Sequence, residues 1–150
     1  MRLTTMITAL LAGLFLIVPM SFATQITVSK DGDITTFKEG IERASEGDTV
    51  LVTEGQYVEY DVRVDKSITL MGEGEVILDG AQQGFVLLIL ADNVAVKNIQ
   101  VHNSKAGFMD DYAGIVVEDA DSVLIENITL VDNFFGIYLA KSKGTVLKNN

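Results

Sequence analysis

The sequence predicts an all-β fold, a parallel β-helix of about four to five coils behind one N-terminal capping helix. Short β-branched runs alternate with Asn, Asp, Gly and Ser corners along most of its length, a pattern shared by sandwiches, barrels and solenoids. Self-similarity decides among these. Asn93-Val94-Ala95-Val96-Lys97-Asn98-Ile99-Gln100-Val101 matches Ser122-Val123-Leu124-Ile125-Glu126-Asn127-Ile128-Thr129-Leu130 at every apolar position and at the Asn, and Gly144-Thr145-Val146-Leu147-Lys148-Asn149 opens a third copy. Gly114 to Gly136 and Asn127 to Asn149 are both steps of 22 residues. That period, with three short strands in it, describes one coil stacked on the next at about 4.8 Å, or roughly 20 Å of solenoid. Leucine-rich repeats share the period but need a Leu framework that is absent.

The chain has 150 residues with 48% hydrophobic side chains, no Cys and one His. One domain fits that length. The lack of Cys excludes a disulfide scaffold, a thiolate metal site, a cysteine nucleophile and a lipoprotein anchor. Residues 1–23 read as a secretory signal peptide: Arg2, a nearly continuous apolar run over 7–20, then Ser21-Phe22-Ala23 before a cut at Thr24. The apolar run is shorter than the ~20 residues of a spanning helix. The expected mature protein is therefore residues 24–150, periplasmic, soluble and exported unfolded. It would carry 10 basic and 21 acidic side chains, a net −11. Such a surface disfavours nucleic acid and anionic lipid.

Residues 33–45 are predicted as the helix, capped by Asp33 or Thr35, with Ile34, Phe37, Ile41 and Ala44 on one stripe. An amphipathic helix here can cover the apolar end of the solenoid and its strand edges. Strands are expected over 49–53, 57–64, 67–71, 75–78, 85–90, 94–96, 99–102, 115–118, 123–125, 128–131, 137–140 and 145–147. Val94, Val96, Ile99, Val101, Val123, Ile125, Ile128 and Leu130 should point mainly inward. Asn98, Asn127 and Asn149 should form an inward column of stacked amides. That placement argues against use of Asn127-Ile128-Thr129 as a glycosylation acceptor. The step from Asn98 to Asn127 is 29 residues, and the surplus falls in an inserted loop, 104–112. Phe134, Phe135 and Tyr138 are expected as a stacked aromatic cluster with one exposed edge. No glycine-rich phosphate-binding motif precedes a helix.

Glu46-Gly47-Asp48-Thr49-Val50, Gly55-Gln56-Tyr57, Lys66-Ser67-Ile68-Thr69-Leu70 and Leu78-Asp79-Gly80 form the opening pattern of right-handed parallel β-helix proteins. Asp111-Tyr112-Ala113-Gly114-Ile115, followed by Asp132-Asn133-Phe134-Phe135-Gly136-Ile137-Tyr138-Leu139, resembles the NosD family, periplasmic copper-binding maturation proteins of nitrous oxide reductase. Members are longer, so the likeness places residues 24–150 in their N-terminal portion. It implies a non-catalytic accessory role in assembling a copper centre, with an ABC transporter and a copper chaperone as partners.

Cu(I) favours thioether and imidazole ligands. His102, at a strand end, with Met109 and Asp110 in the inserted loop, are the candidate copper ligands. Asp79, His102 and Asp132 align near one corner, whereas Met71 aligns with Lys97 elsewhere. The alternative function is a carbohydrate-active β-helix enzyme: a polysaccharide lyase, epimerase or hydrolase. Asp110, Asp111, Glu118, Asp119 and Asp121 supply acids, while Arg43 and Arg63 are the only Arg residues after Ala23. A strongly acidic chain is a poor host for a polyanion. Asp119 and Asp121 also suit solvated corners. A plain adhesive solenoid is the third class.

Overall fold

The computed structural model describes residues 22–107 and 112–150. Over the described residues the chain winds as a right-handed parallel β-helix of about five turns with one short helix. The first turn holds β1 (Gln25–Val28) and α1 (Phe37–Arg43). The next two begin with long strands, β2 (Thr49–Val58) and β4 (Thr69–Asp79), each followed by a short one, β3 (Val62–Val64) and β5 (Leu87–Ile89). Later turns break the long strand in two. They run β6 (Ala95–Lys97), β7 (Gln100–His102), β8 (Ala113–Glu118), then β9 (Leu124–Glu126), β10 (Thr129–Val131), β11 (Phe135–Ala140) and β12 (Val146–Lys148).

All pairings between strands are parallel. One sheet runs β1-β2-β4-β6-β9-β12, with β7 and β10 continuing from the second half of β4; the other runs β11-β8-β5-β3. Met71 pairs with Lys97, as the repeat alignment requires. Between the sheets lies one apolar core of Val, Ile and Leu ladders. Val94, Val96, Ile99, Val101, Val123, Ile125 and Ile128 are buried, and Leu130 packs against them partly exposed. Such stacking removes each side chain from water on both flanks, worth about 1.5–3 kcal/mol per large aliphatic residue.

The helix is shorter than residues 33–45 because Thr36, not Asp33 or Thr35, is its N-cap and accepts from the Glu39 N–H. Glu59, from the next turn, accepts the Phe37 and Lys38 N–H groups. Lys66 Nζ donates to the Ile41, Glu42 and Ala44 carbonyls at the other end. Both helix ends are thus tied to the solenoid by opposite charges, as its dipole favours. Phe37 and Ile41 enter the core, so the helix does cover the first coil.

Two pairs of strand expectations are corrected, and β1 is a strand that the repeat pattern does not mark. The 49–53 strand runs on through Val58 as β2, and the expected 57–64 strand breaks before β3 at the left-handed corner of Asp61, φ 49; 67–71 with 75–78 form one strand, β4. The last follows from Gly72, where an added Cβ would lie 2.1 Å from the Asn98 carbonyl oxygen. Only a glycine lets the extended backbone pass so close to the next turn.

The asparagine column is also corrected. Asn98, Asn127 and Asn149 all have left-handed backbones, φ 56, 55 and 54, a conformation Asn tolerates better than most residues. Their side chains are exposed at the corner, not inward. Asn127 Nδ2 donates to Asn98 Oδ1 at 3.0 Å. Beyond it the side chain of Asn150 makes the crossing, accepting from the Ile128 N–H and donating to the Ile125 carbonyl.

Candidate functional site

Strand alternation sends every second residue outward. On the second half of β2 and β4, and on β7 and β10, Tyr57, Leu78, Val101 and Leu130 turn in. The register then builds two outer rows across four turns. One is Gln56, Ile77, Gln100 and Thr129; the other is Val58, Asp79, His102 and Val131. Asp79 and His102 are therefore neighbours on adjacent turns, as the repeat alignment indicates. Asp132 lies one residue past this row, at a left-handed corner of φ 53.

Asp79 is half-buried, and each of its carboxylate oxygens is hydrogen-bonded. Its Oδ1 accepts the Ala81 N–H and the Asn103 side-chain amide, both at 2.9 Å. Its Oδ2 accepts Gln56 Nε2 at 3.0 Å. Burial pushes the Asp79 pKa up, but those three donors and the charge of His102 outweigh it, and the net shift is downward. One turn on, Gln100 Nε2 donates to Glu75 Oε1 at 3.2 Å, and Gln100 Oε1 lies 3.1 Å from His102 Nε2.

Beside these rows the chain bulges outward. The Gly72–Val76 stretch of β4 stands where later turns have only Asn98 and Ile99, and β2 carries a register shift between Thr53 and Gly55. Gly55 and Gly74, at φ 146 and 79, allow the two bends. Between them opens a cavity of ≈ 440 Å³ lined by Glu54, Gly55, Gln56, Glu75 and Ile77. Gln56 thus lines the cavity and also holds Asp79. Amides, carboxylates and one imidazole meet on a shallow, solvated face. Such a face can exchange several hydrogen bonds with a hydroxyl-rich ligand and offers the Asp79 carboxylate for chemistry.

Of the three predicted copper ligands, His102 stands on this face, while Met109 and Asp110 lie outside the described residues. Asp111 lies outside them too. Among the described residues, no three His, Asp or Glu side chains are grouped so as to hold a metal ion. The near side of the inserted segment has a packing role. The Tyr112 ring sits 5.1 Å from Phe85, which packs on an outer apolar cluster of Leu88, Ala113 and Val116. Asp119 and Asp121 act at corners: Asp119 pairs with Lys141, and Asp121 accepts the Lys143 N–H. Phe134, Phe135 and Tyr138 do cluster, at 4.9 and 6.3 Å between ring centroids, but each is more than a third exposed.

Gln56, Glu75 and Gln100 were not singled out from the sequence. The signal for Gln56 and Gln100 was the alternation around Tyr57 and Val101, which marks polar side chains on the outer face. Glu75 carries no periodic signal, because the bulge of β4 alone brings it to Gln100.

The fold and this face define a right-handed parallel β-helix with a polar lateral groove. Solved structures of the same architecture include pectin methylesterase PemA from Erwinia chrysanthemi, at TM-score 0.64 and 15% identity over 85% of this chain and 50% of that one. A pectin methylesterase variant in complex with a hexasaccharide follows at 0.55 and 15%, over 80% and 48%. Another hexasaccharide complex of a pectin methylesterase gives 0.55 and 16%, over 78% and 45%. The chain spans about half the length of these neighbours. No family model and no curated protein matches it. None of these three structures is a copper-maturation protein.

Proposed function

We propose that this chain is part of an exported, carbohydrate-active β-helix enzyme whose lateral face takes an uncharged polysaccharide. The observation that carries this is the pair of outer rows joining Gln56, Asp79, Gln100 and His102 across consecutive turns beside the ≈ 440 Å³ cavity. A repeating polymer suits a face that repeats along the solenoid axis, and amide–carboxylate arrays suit hydroxyls. The neighbours of like fold are carbohydrate-active, which supports the same reading. The acidic balance of the chain favours a polymer without free carboxylates, either neutral or esterified.

The reaction class that fits is hydrolysis. An ionised carboxylate such as Asp79 can serve as nucleophile or base, and an adjacent imidazole can carry the proton. Export through cleavage before Thr24 would place this activity outside the cytoplasm. A role in copper-centre assembly rests on the motif resemblance alone.

The test uses the protein purified from the exported fraction, with neutral glucans, xylan, methyl-esterified polygalacturonate and the de-esterified polymer. New reducing ends and released methanol are measured for the parent, Asp79→Asn and His102→Ala. Turnover of an uncharged polymer, lost by more than tenfold in Asp79→Asn, is expected. Turnover of the polyanion alone, or turnover indifferent to both substitutions, would contradict it.

A further inference from the structure

We propose that His102 presents Nδ1 as the atom that accepts a hydrogen bond from a sugar hydroxyl, and that Glu75 acting through Gln100 sets this. It rests on the carbohydrate reading of the face. The logic is one of donors and acceptors. A carboxylate only accepts, so the Gln100 atom facing Glu75 is the amide nitrogen, 3.2 Å away. That orientation leaves the Gln100 carbonyl oxygen toward His102, 3.1 Å from Nε2. An amide oxygen only accepts, so Nε2 must carry the hydrogen. A neutral imidazole has one N–H, so the lone pair stands on Nδ1.

Among the described residues, no buried side-chain nitrogen or oxygen lacks a partner, and the hydrogen bond of His102 runs through Nε2. Nδ1 therefore faces solvent. Asp79, in register on the preceding turn, accepts through Oδ2 from Gln56 and keeps lone-pair capacity there. Two acceptors on adjacent turns match a sugar ring with neighbouring hydroxyls. Glu75 and Gln100 are positioning residues; they act through His102.

His102 is the only histidine in the chain, so ¹⁵N-histidine labelling gives one imidazole. Long-range ¹H–¹⁵N correlation at about pH 8.5, some two units above the ordinary imidazole pKa, reads its tautomer. The parent should show Nε2–H with an unprotonated Nδ1, Gln100→Leu a mixture. Saturation with an uncharged oligosaccharide should move Nδ1, and Gln100→Leu should weaken binding by about tenfold. An Nδ1–H tautomer in the free protein overturns the proposal. So does oligosaccharide binding that leaves Nδ1 unmoved, although the carbohydrate reading then stands. If the tautomer is as stated but no oligosaccharide binds, the carbohydrate reading fails and this proposal with it.

A second observation is independent of that face. Thr24 N lies 2.7 Å from Asp48 Oδ1, while Asp48 Oδ2 accepts the Ser45 N–H at 2.8 Å and Asp48 itself is only 5% exposed. We infer that export processing turns this contact into an ion pair. Hydrolysis of the Ala23–Thr24 bond adds water: the Ala23 carboxylate leaves with the leader, and the Thr24 amine takes up a proton. A neutral amide donor becomes an ammonium against a carboxylate, roughly doubling a hydrogen bond's strength. Processing would thus lock the first strand, since the Thr24 carbonyl also accepts the Thr49 N–H at 2.9 Å. The test compares exported parent protein with a form carrying one extra Gly between Ala23 and Thr24. Mass spectrometry should give Thr24 as the parent's first residue. The Gly form should melt lower at pH 7, and the gap should close near pH 9.5, above the ordinary α-amino pKa of about 8. Equal melting at pH 7, or a mature terminus elsewhere, overturns it.

Discussion

The side-chain amide of Asn127 donates to that of Asn98 one turn below, at 3.0 Å, and both residues hold a left-handed backbone. The two facts explain each other. A sharp corner between two three-residue strands needs positive φ, and Asn both tolerates it and bridges the turns. Asn127→Gly should remove the bridge and keep the corner, costing about 1 kcal/mol. Asn127→Ala should lose both, costing about 2–3 kcal/mol in all. Urea denaturation of the two variants measures the split, and equal losses would show that the corner is unstrained.

Ile128 is 2% exposed and packs within the apolar ladders. Ile128→Asp would bury a charge without a partner, at a cost of several kcal/mol. Loss of cooperative melting is the expected outcome. An unchanged melting temperature would place Ile128 outside the core.

Gly72→Ala tests the close passage of β4. The new Cβ would meet the Asn98 carbonyl oxygen at 2.1 Å, and that neighbour is backbone rather than a flexible side chain. Separation of the two turns should cost about 1–3 kcal/mol. Gly47→Ala is the control for space: its Cβ would meet nothing within 4 Å, although its φ of 87 adds backbone strain. Circular dichroism melts should rank Gly72→Ala as the less stable variant.

Asp79 has a depressed pKa in the folded state, so the sign of its pH dependence is fixed. Its contribution is fully present above the unfolded carboxyl pKa of about 3.9 and fades as pH falls through the lower folded value. Stability should therefore be lower in Asp79→Asn than in the parent at pH 7, and the gap should narrow below about pH 4. Urea midpoints from pH 7 to pH 2 measure it. A gap constant with pH would mean that the carboxylate charge contributes nothing.

The solenoid was legible because its signal is repetitive. Each buried ladder position recurs at the coil period, so Val96, Ile125 and their neighbours identify one another. Helix ends were less legible, because Glu59 and Lys66 cap the helix from the next turn. The outward placement of Asn98 and Asn127 escaped because identity alone does not tell an inner stack from a left-handed corner. On the candidate face, Asp79 and His102 could be aligned from the repeat. Gln56 and Gln100 were hidden in ordinary strand alternation, and Glu75 depends on a bulge with no counterpart in later turns.

The lateral face as a carbohydrate site is the central claim, and mapping where a ligand lands tests it most directly. Backbone and side-chain amide resonances of ¹⁵N-labelled exported protein are followed during titration with an uncharged oligosaccharide of about six units, long enough to cross several turns at about 4.8 Å each. Shifts concentrated at Gln56, Asp79, Gln100 and His102, and abolished by Asp79→Asn with the fold retained, are the predicted result. Shifts confined to another surface, or none at saturating ligand, would contradict the account.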